Sequence, residues 1–138
     1  MRVFWTDGSA NPNPGPGGFA VLEDGKPVAL GGEPQTTNIR MEGLALLAAM
    51  KAAAGEPCEI HTDSEFWVNV LTKWAPSWKR NGWVKRSGPI ANLQLVQELY
   101  KWYTTYPVEL VWVRGHAGTE MNELADMWAN RARAGERV

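Results

Sequence analysis

Thiol and imidazole are scarce in this chain. Cys58 is its single cysteine, which leaves no partner for an internal disulfide, and His61 and His116 are its only histidines. No apolar segment approaches the roughly 20 residues needed to cross a bilayer, so no membrane role is expected. No basic start leads into a long apolar run, and no block of like charge suggests a lipid-bound arm; a cytoplasmic protein is expected. Internal repeats and low-complexity tracts are missing too. The 138 residues fit one domain spanning 1–138, with 135–138 expected to fray, and a monomer is expected.

An excess of positive charge is also missing, since the formal net charge is −1. Taken alone, that argues against a nucleic-acid partner. The average hides a segregation, however. From Phe66 through Gln97 there is no acid, while Lys73, Lys79, Arg80, Lys85 and Arg86 fall inside that window. Asp7, Glu42, Asp63, Glu120, Glu123 and Asp126 lie elsewhere.

What is present is a regular succession of short elements. Arg2–Thr6 reads as a strand running into a turn-rich stretch, Asp7–Gly18. Phe19–Leu22 and Val28–Leu30 flank Asp24-Gly25 as a hairpin. Thr37 or Asn38 can cap a helix with Met41, Leu44, Ala45, Ala48 and Ala52 on one side, ended by Gly55 and Pro57. Glu59–Thr62 is a short strand. The spacing of Phe66, Val70 and Trp74 predicts a helix broken at Pro76. Leu95, Val96, Leu99, Trp102 and Tyr103 predict another helix from Asn92, Val108–Val113 alternates as a strand, and a last helix begins near Thr119. An antiparallel opening followed by alternating strands and helices implies a mixed sheet with helices packed on it.

Asp7 and Asp63 each stand just past a predicted strand, where sites of such sheets gather. Glu42 lies early in the first long helix and Asp126 in the second turn of the last, both beside an apolar stripe. Singly, each acid could merely suit a helix dipole or a turn. Brought together at about 5 Å, each pair would repel by roughly 3 kcal/mol at an effective dielectric near 20, so a positive partner is required. All-oxygen ligation suits a hard cation such as Mg²⁺ or Mn²⁺, and two ions fit in-line phosphoryl displacement better than one.

The acids sit in ordered strings: Phe4-Trp5-Thr6-Asp7-Gly8-Ser9, Asn13-Pro14-Gly15-Pro16-Gly17-Gly18, Thr36-Thr37-Asn38-Ile39-Arg40-Met41-Glu42, Thr62-Asp63-Ser64, Trp78-Lys79-Arg80-Asn81-Gly82-Trp83, and Gly115-His116-Ala117-Gly118 through Asn122-Glu123 to Asp126. In this order, over nearly the whole chain, they resemble ribonuclease H type 1. The resemblance implies an α/β ribonuclease H-like fold: a five-stranded mixed sheet, its three opening strands antiparallel, with helices on both faces. It implies that Asp7, Glu42, Asp63 and Asp126 bind two Mg²⁺ or Mn²⁺ ions and that His116 assists, as an imidazole titrating near neutrality can. The implied reaction is internal hydrolysis of the RNA strand of an RNA–DNA hybrid, leaving 5′-phosphate and 3′-hydroxyl ends.

By the same resemblance, Asn13 and Asn38 contact the RNA strand, where a 2′-hydroxyl distinguishes RNA from DNA. Phe66 and Trp74 line a channel for the DNA strand, Thr37 and Asn92 belong to a pocket for a DNA phosphate, and Lys79 and Arg80 sit on a basic protrusion that grips the hybrid. Asn is also common in turns and caps, and for Asn38 both readings can hold. Ile39, Gln35 and Glu65 depart from the family pattern and bear on hybrid affinity. The alternative is a hybrid-binding module that does not cut; a different nuclease or strand-transfer enzyme on the same sheet would instead attack duplex DNA.

Overall fold

The computed structural model describes residues 1–114 and 120–138. Three strands open the chain: β1 (Arg2–Ala10), β2 (Gly15–Glu23) and β3 (Lys26–Thr36). Then come α1 (Asn38–Ala53), β4 (Cys58–Thr62), α2 (Glu65–Asn69), a π-helical turn (Val70–Trp74), α3 (Ala75–Arg80), α4 (Leu93–Thr105), β5 (Val108–Trp112) and α5 (Glu120–Arg133). The five strands form one sheet in the order β3-β2-β1-β4-β5. β1–β2 and β2–β3 are antiparallel, and β1–β4 and β4–β5 are parallel, so the expected mixed sheet with three antiparallel opening strands is present.

The opening strands are longer than the sequence predicts. Asp7 lies inside β1, opposite Ala20, and not beyond a strand end; β2 and β3 take in most of the glycines and prolines that read as turn. Glycine carries no side chain to display an alternating pattern, yet its backbone still completes the ladder. β3 is an edge strand, where Pro27 and Pro34 are tolerated because one side of the ladder needs no donors.

Alternation along β1 sends Phe4, Thr6, Gly8 and Ala10 to one face and Trp5, Asp7 and Ser9 to the other. The first face meets α1. A Cβ on Gly8 would stand 2.4 Å from the Met41 backbone carbonyl carbon, so only glycine lets α1 approach this closely. The second face meets α5, and a Cβ on Gly18 would lie 2.2 Å from the Arg133 backbone nitrogen. Helices therefore cover both faces. The main core, with Phe4, Leu46, Ile60, Trp67, Leu71, Val96 and Leu99, lies on the α1 side. Against α5 the sheet turns Ala20 and Leu22, and α5's buried residues are small: Asn122, Ala125, Ala129 and Ala132.

α1 starts where Thr37, in extended backbone, accepts a hydrogen bond from the Arg40 N–H at 3.2 Å. It buries more than one stripe, including Gly43, Leu46, Leu47, Ala49 and Met50, because it is wedged between the sheet and the α2–α4 layer. The helix expected to break at Pro76 does not break. The Ala75 N–H reaches back to the Val70 carbonyl, a π-type bond, and Pro76 falls in the first turn of α3, where a missing N–H costs little. No described helix is long and apolar enough to cross a membrane.

Candidate active site

Strand pairing and two helix ends deliver the four acids to one place. β1 and β4 run parallel with Trp5 opposite His61, and this register carries on to set Asp7 level with Asp63. The Thr6 hydroxyl donates to the His61 carbonyl at 3.2 Å and ties the two strands just before the acids. Glu42 enters from the first turns of α1, which Gly8 admits against β1. Asp126 enters from α5 on the opposite face. All four line a cavity of about 220 Å³, joined by Ser9, Asn38, Asn122 and Glu123.

The electrostatics follow from this crowding. The Asp7 carboxyl, only 8% exposed, is pushed up to about 9 by burial, by the neighbouring Asp63 charge and by a hydrogen bond shared with Asp126, which places a proton between two carboxylates. Glu42 is pushed up to about 7 by burial and by Asp63, against the pull of a hydrogen bond from the Ser64 hydroxyl. Ser64 also caps α2 by accepting from the Trp67 N–H at 3.3 Å, so one side chain fixes both the helix start and an acid.

Among the described residues, no three His, Cys, Asp or Glu side chains already form a closed metal-ligand cluster. A Mg²⁺-type ion does not need one: it keeps several waters and takes one or two carboxylates together with substrate phosphate. Carboxylates that stay protonated for want of a counter-charge, in a pocket offering only oxygen and amide groups, fit such an ion by donor chemistry and by charge.

The remaining sequence candidates fall into three groups around the cavity. Asn13 and Asn38 are linked, since the Asn13 Oδ1 accepts from the Asn38 N–H at 3.1 Å, while the Asn38 Oδ1 accepts from the Ala10 N–H at 2.6 Å. These bonds engage the amide oxygens and leave the Asn38 –NH₂ as a donor in the cavity it lines. Thr37 and Asn92 are bridged by Arg40, whose N–H bonds to Thr37 and whose Nη1 donates to Asn92 Oδ1 at 3.4 Å. Phe66 and Trp74 meet edge to face at 5.9 Å between ring centroids, each 39% exposed. Lys79 and Arg80 end α3; both are exposed, and Lys79 Nζ lies 6.0 Å from the centre of the Tyr100 ring. None of Asn13, Thr37, Asn92, Phe66, Trp74, Lys79 and Arg80 lines the carboxylate cavity. His116 lies outside the described residues.

Residue-level reading missed Ser9, Ser64, Asn122 and Glu123 as site residues. Asn122 and Glu123 precede Asp126 by four and three positions, the spacing that shares a helix face, and this signal was available. For Ser64 no sequence signal separates a helix cap from a carboxylate partner.

A five-stranded mixed sheet of this order, with acids from two parallel strands and two opposed helices at one cavity, is a ribonuclease H-like fold. Residues 1–134 match the family model for RNase H. Ribonuclease H of Granulibacter bethesdensis is 45% identical over 136 residues, covering 94% of this chain and 90% of that protein. Ribonuclease H of Gluconobacter oxydans is 42% identical over 136 residues, again with 94% and 90% coverage. Among solved structures, LC9-RNase H1, a type 1 RNase H with the type 2 active-site motif, superposes with a TM-score of 0.78 at 30% identity, covering 99% of this chain and 75% of that one. The chain belongs to the ribonuclease H family, a family of nucleic-acid hydrolases.

Proposed function

We propose that this protein cuts the RNA strand of an RNA–DNA hybrid internally, leaving a 5′-phosphate and a 3′-hydroxyl, with two Mg²⁺ or Mn²⁺ ions held by Asp7, Glu42, Asp63 and Asp126. The observation that carries this reading is the convergence of those four acids, from four separate elements, on one open cavity. When bound, the ions supply activation of water and neutralisation of charge at the phosphodiester. The chain's own residues do the rest. Asp7 and Glu42 surrender the protons that burial makes them hold, so that the quartet can hold the ions. The Asn38 amide, pinned by Ala10 and Asn13, presents a donor beside the quartet and suits a 2′-hydroxyl or base edge of the RNA strand. The exposed Phe66–Trp74 pair suits sugar faces of the DNA strand, and Thr37 and Asn92, bridged by Arg40, suit a pocket for a DNA phosphate. His116 is proposed to assist proton movement.

The deciding assay uses a hybrid with end-labelled RNA, incubated with Mg²⁺ or with Mn²⁺. Internal cuts are expected, and full-length RNA persisting with both ions would overturn the reading. Asp7→Asn and Asp63→Asn are each expected to lower cleavage by orders of magnitude while a gel-shift assay still detects the hybrid bound; cutting at the wild-type rate would remove these acids from the mechanism.

A further inference from the structure

Two turns along α5 from Asp126, the surface opens a second time. A cavity of about 170 Å³ lies between the end of α5 and the β2–β3 pair, with Gly17 and Gly32 on the sheet side and Arg133 and Arg137 on the other. It holds none of the four acids described above.

Its charge is unbalanced. Arg133 Nη2 donates to the amide oxygen of Asn130 at 3.2 Å, and its Nε is buried with no hydrogen-bond partner. Arg137 Nη1 donates only to the backbone carbonyls of Ala132 at 2.9 Å and Glu136 at 2.6 Å. Neither guanidinium pairs with a carboxylate among the described residues. Glu33, the acid in the lining, is already taken: Arg40 grips it through Nε at 2.7 Å and Nη2 at 3.2 Å and holds it below the usual carboxylate range. The Glu136 carboxylate is taken by Arg131 at 2.8 Å. Two forked donors with no carboxylate partner suit a phosphate oxygen pair.

The cavity is also in line with the catalytic one. Asp126, Asn130 and Arg133 stand at i, i+4 and i+7 on one face of α5, so Arg133 lies about 10 Å along the axis from Asp126. Ser9, which lines the catalytic cavity, donates its Oγ to Asn130 Oδ1 at 3.3 Å, the same atom that receives Arg133. On the sheet, Ser9 is paired with Gly18 and Ala10 with Gly17, one step from the second cavity. A strand seated at the carboxylates and continuing past Ser9 and Asn130 meets the guanidiniums. With each phosphate advancing the strand by at least about 3.4 Å, that is no more than about three phosphates away.

We propose that Arg133 and Arg137 form a phosphate subsite for the strand being cut, within about three phosphates of the scissile bond. The proposal rests on the nuclease reading above. It predicts an Arg133→Ala/Arg137→Ala variant whose KM for the hybrid rises roughly five- to tenfold with kcat within about twofold, and whose slope of log affinity against log salt shrinks by about 0.9, the share of one phosphate. An Arg133→Lys/Arg137→Lys variant is expected to keep the slope. Thermal unfolding of each variant separates misfolding from lost contact.

A second arm needs no variant. Single phosphates of the cleaved strand are replaced in turn by neutral methylphosphonates, and wild-type affinity is measured by anisotropy. One position within about three phosphates of the cut is expected to weaken wild-type binding by about the same factor and to leave the alanine variant's binding unchanged. Unchanged KM and salt slope in the alanine variant, or a scan with no such position, overturns the subsite while wild-type cleavage stands. A wild-type protein that neither binds nor cuts the hybrid overturns the nuclease reading itself, and the subsite falls with it.

Discussion

Asp7 holds its proton to about pH 9 in the folded, metal-free protein, because burial and the Asp63 charge oppose its ionisation, whereas in the unfolded chain it ionises near its ordinary value of 3.8. Between these two values the folded state binds more protons than the unfolded one, so this contribution to stability is complete below about pH 4 and is lost as pH rises toward 9. Glu42, pushed up to about 7, adds a smaller loss of the same sign between its ordinary 4.5 and 7. Thermal unfolding in EDTA is therefore expected to show Tm falling from pH 5 to pH 9. Asp7→Asn should flatten the profile and raise the metal-free Tm at pH 8. Added Mg²⁺ should restore wild-type stability at pH 8, since an ion that binds only the folded state shifts the equilibrium toward it. A metal-free Tm that climbs over this range would contradict the protonated-cluster account.

At the scale of elements, the contact between β1 and α1 is set by the missing side chain of Gly8. Gly8→Ala places a methyl 2.4 Å from backbone that cannot turn away, and overpacking of this kind costs about 1–3 kcal/mol. Denaturant unfolding should register that loss, and cleavage should fall further than stability alone accounts for, because Glu42 rides on the displaced helix. Wild-type stability in this variant would mean that α1 is free to shift. The same elements show how much was legible in the sequence. Helices with strong apolar spacing, α1 and α4, were recognisable, as were the parallel strands β4 and β5. β2 and β3 were seen only as their apolar centres, because Gly15, Gly17, Gly18, Gly31 and Gly32 pair through backbone alone. The π-helical turn before Pro76 was invisible, since the apolar spacing of Phe66, Val70 and Trp74 does not distinguish the i−5 bond from Ala75 to Val70 from an ordinary helical one. The quartet was recognisable because chemistry restricts those positions to carboxylates, while Ser64 and Asn122 look like ordinary polar residues until the fold brings them to the cavity.

Over the whole molecule, charge is sorted. The cations between Phe66 and Gln97 stand on the π-helical turn, α3 and the segment after it, with Lys73, Lys79, Arg80, Lys85 and Arg86 all exposed, while Asp7, Glu42, Asp63, Glu123 and Asp126 line the cavity. A near-neutral chain can therefore still grip a polyanion. Replacing both Lys79 and Arg80 by Ala is expected to weaken hybrid binding across all sequences and to shrink the salt slope by about 1.8 if each meets one phosphate, with kcat at saturation little changed. An unaltered slope would remove this region from the interface.

The alanine-lined seat of α5 has a consequence for how the enzyme fails. The opposite side of the sheet is anchored by Trp67, Phe4 and Leu99, whereas Ala125, Ala129 and Ala132 bury little apolar area. Sub-global opening should therefore release α5 first and carry Asp126 away from an otherwise intact sheet. Hydrogen–deuterium exchange is expected to be faster at the amides of 120–133 than in central β1, and mild urea should silence catalysis before the far-ultraviolet signal of the sheet changes. Matching exchange rates in the two elements would show instead that the fold opens as one unit.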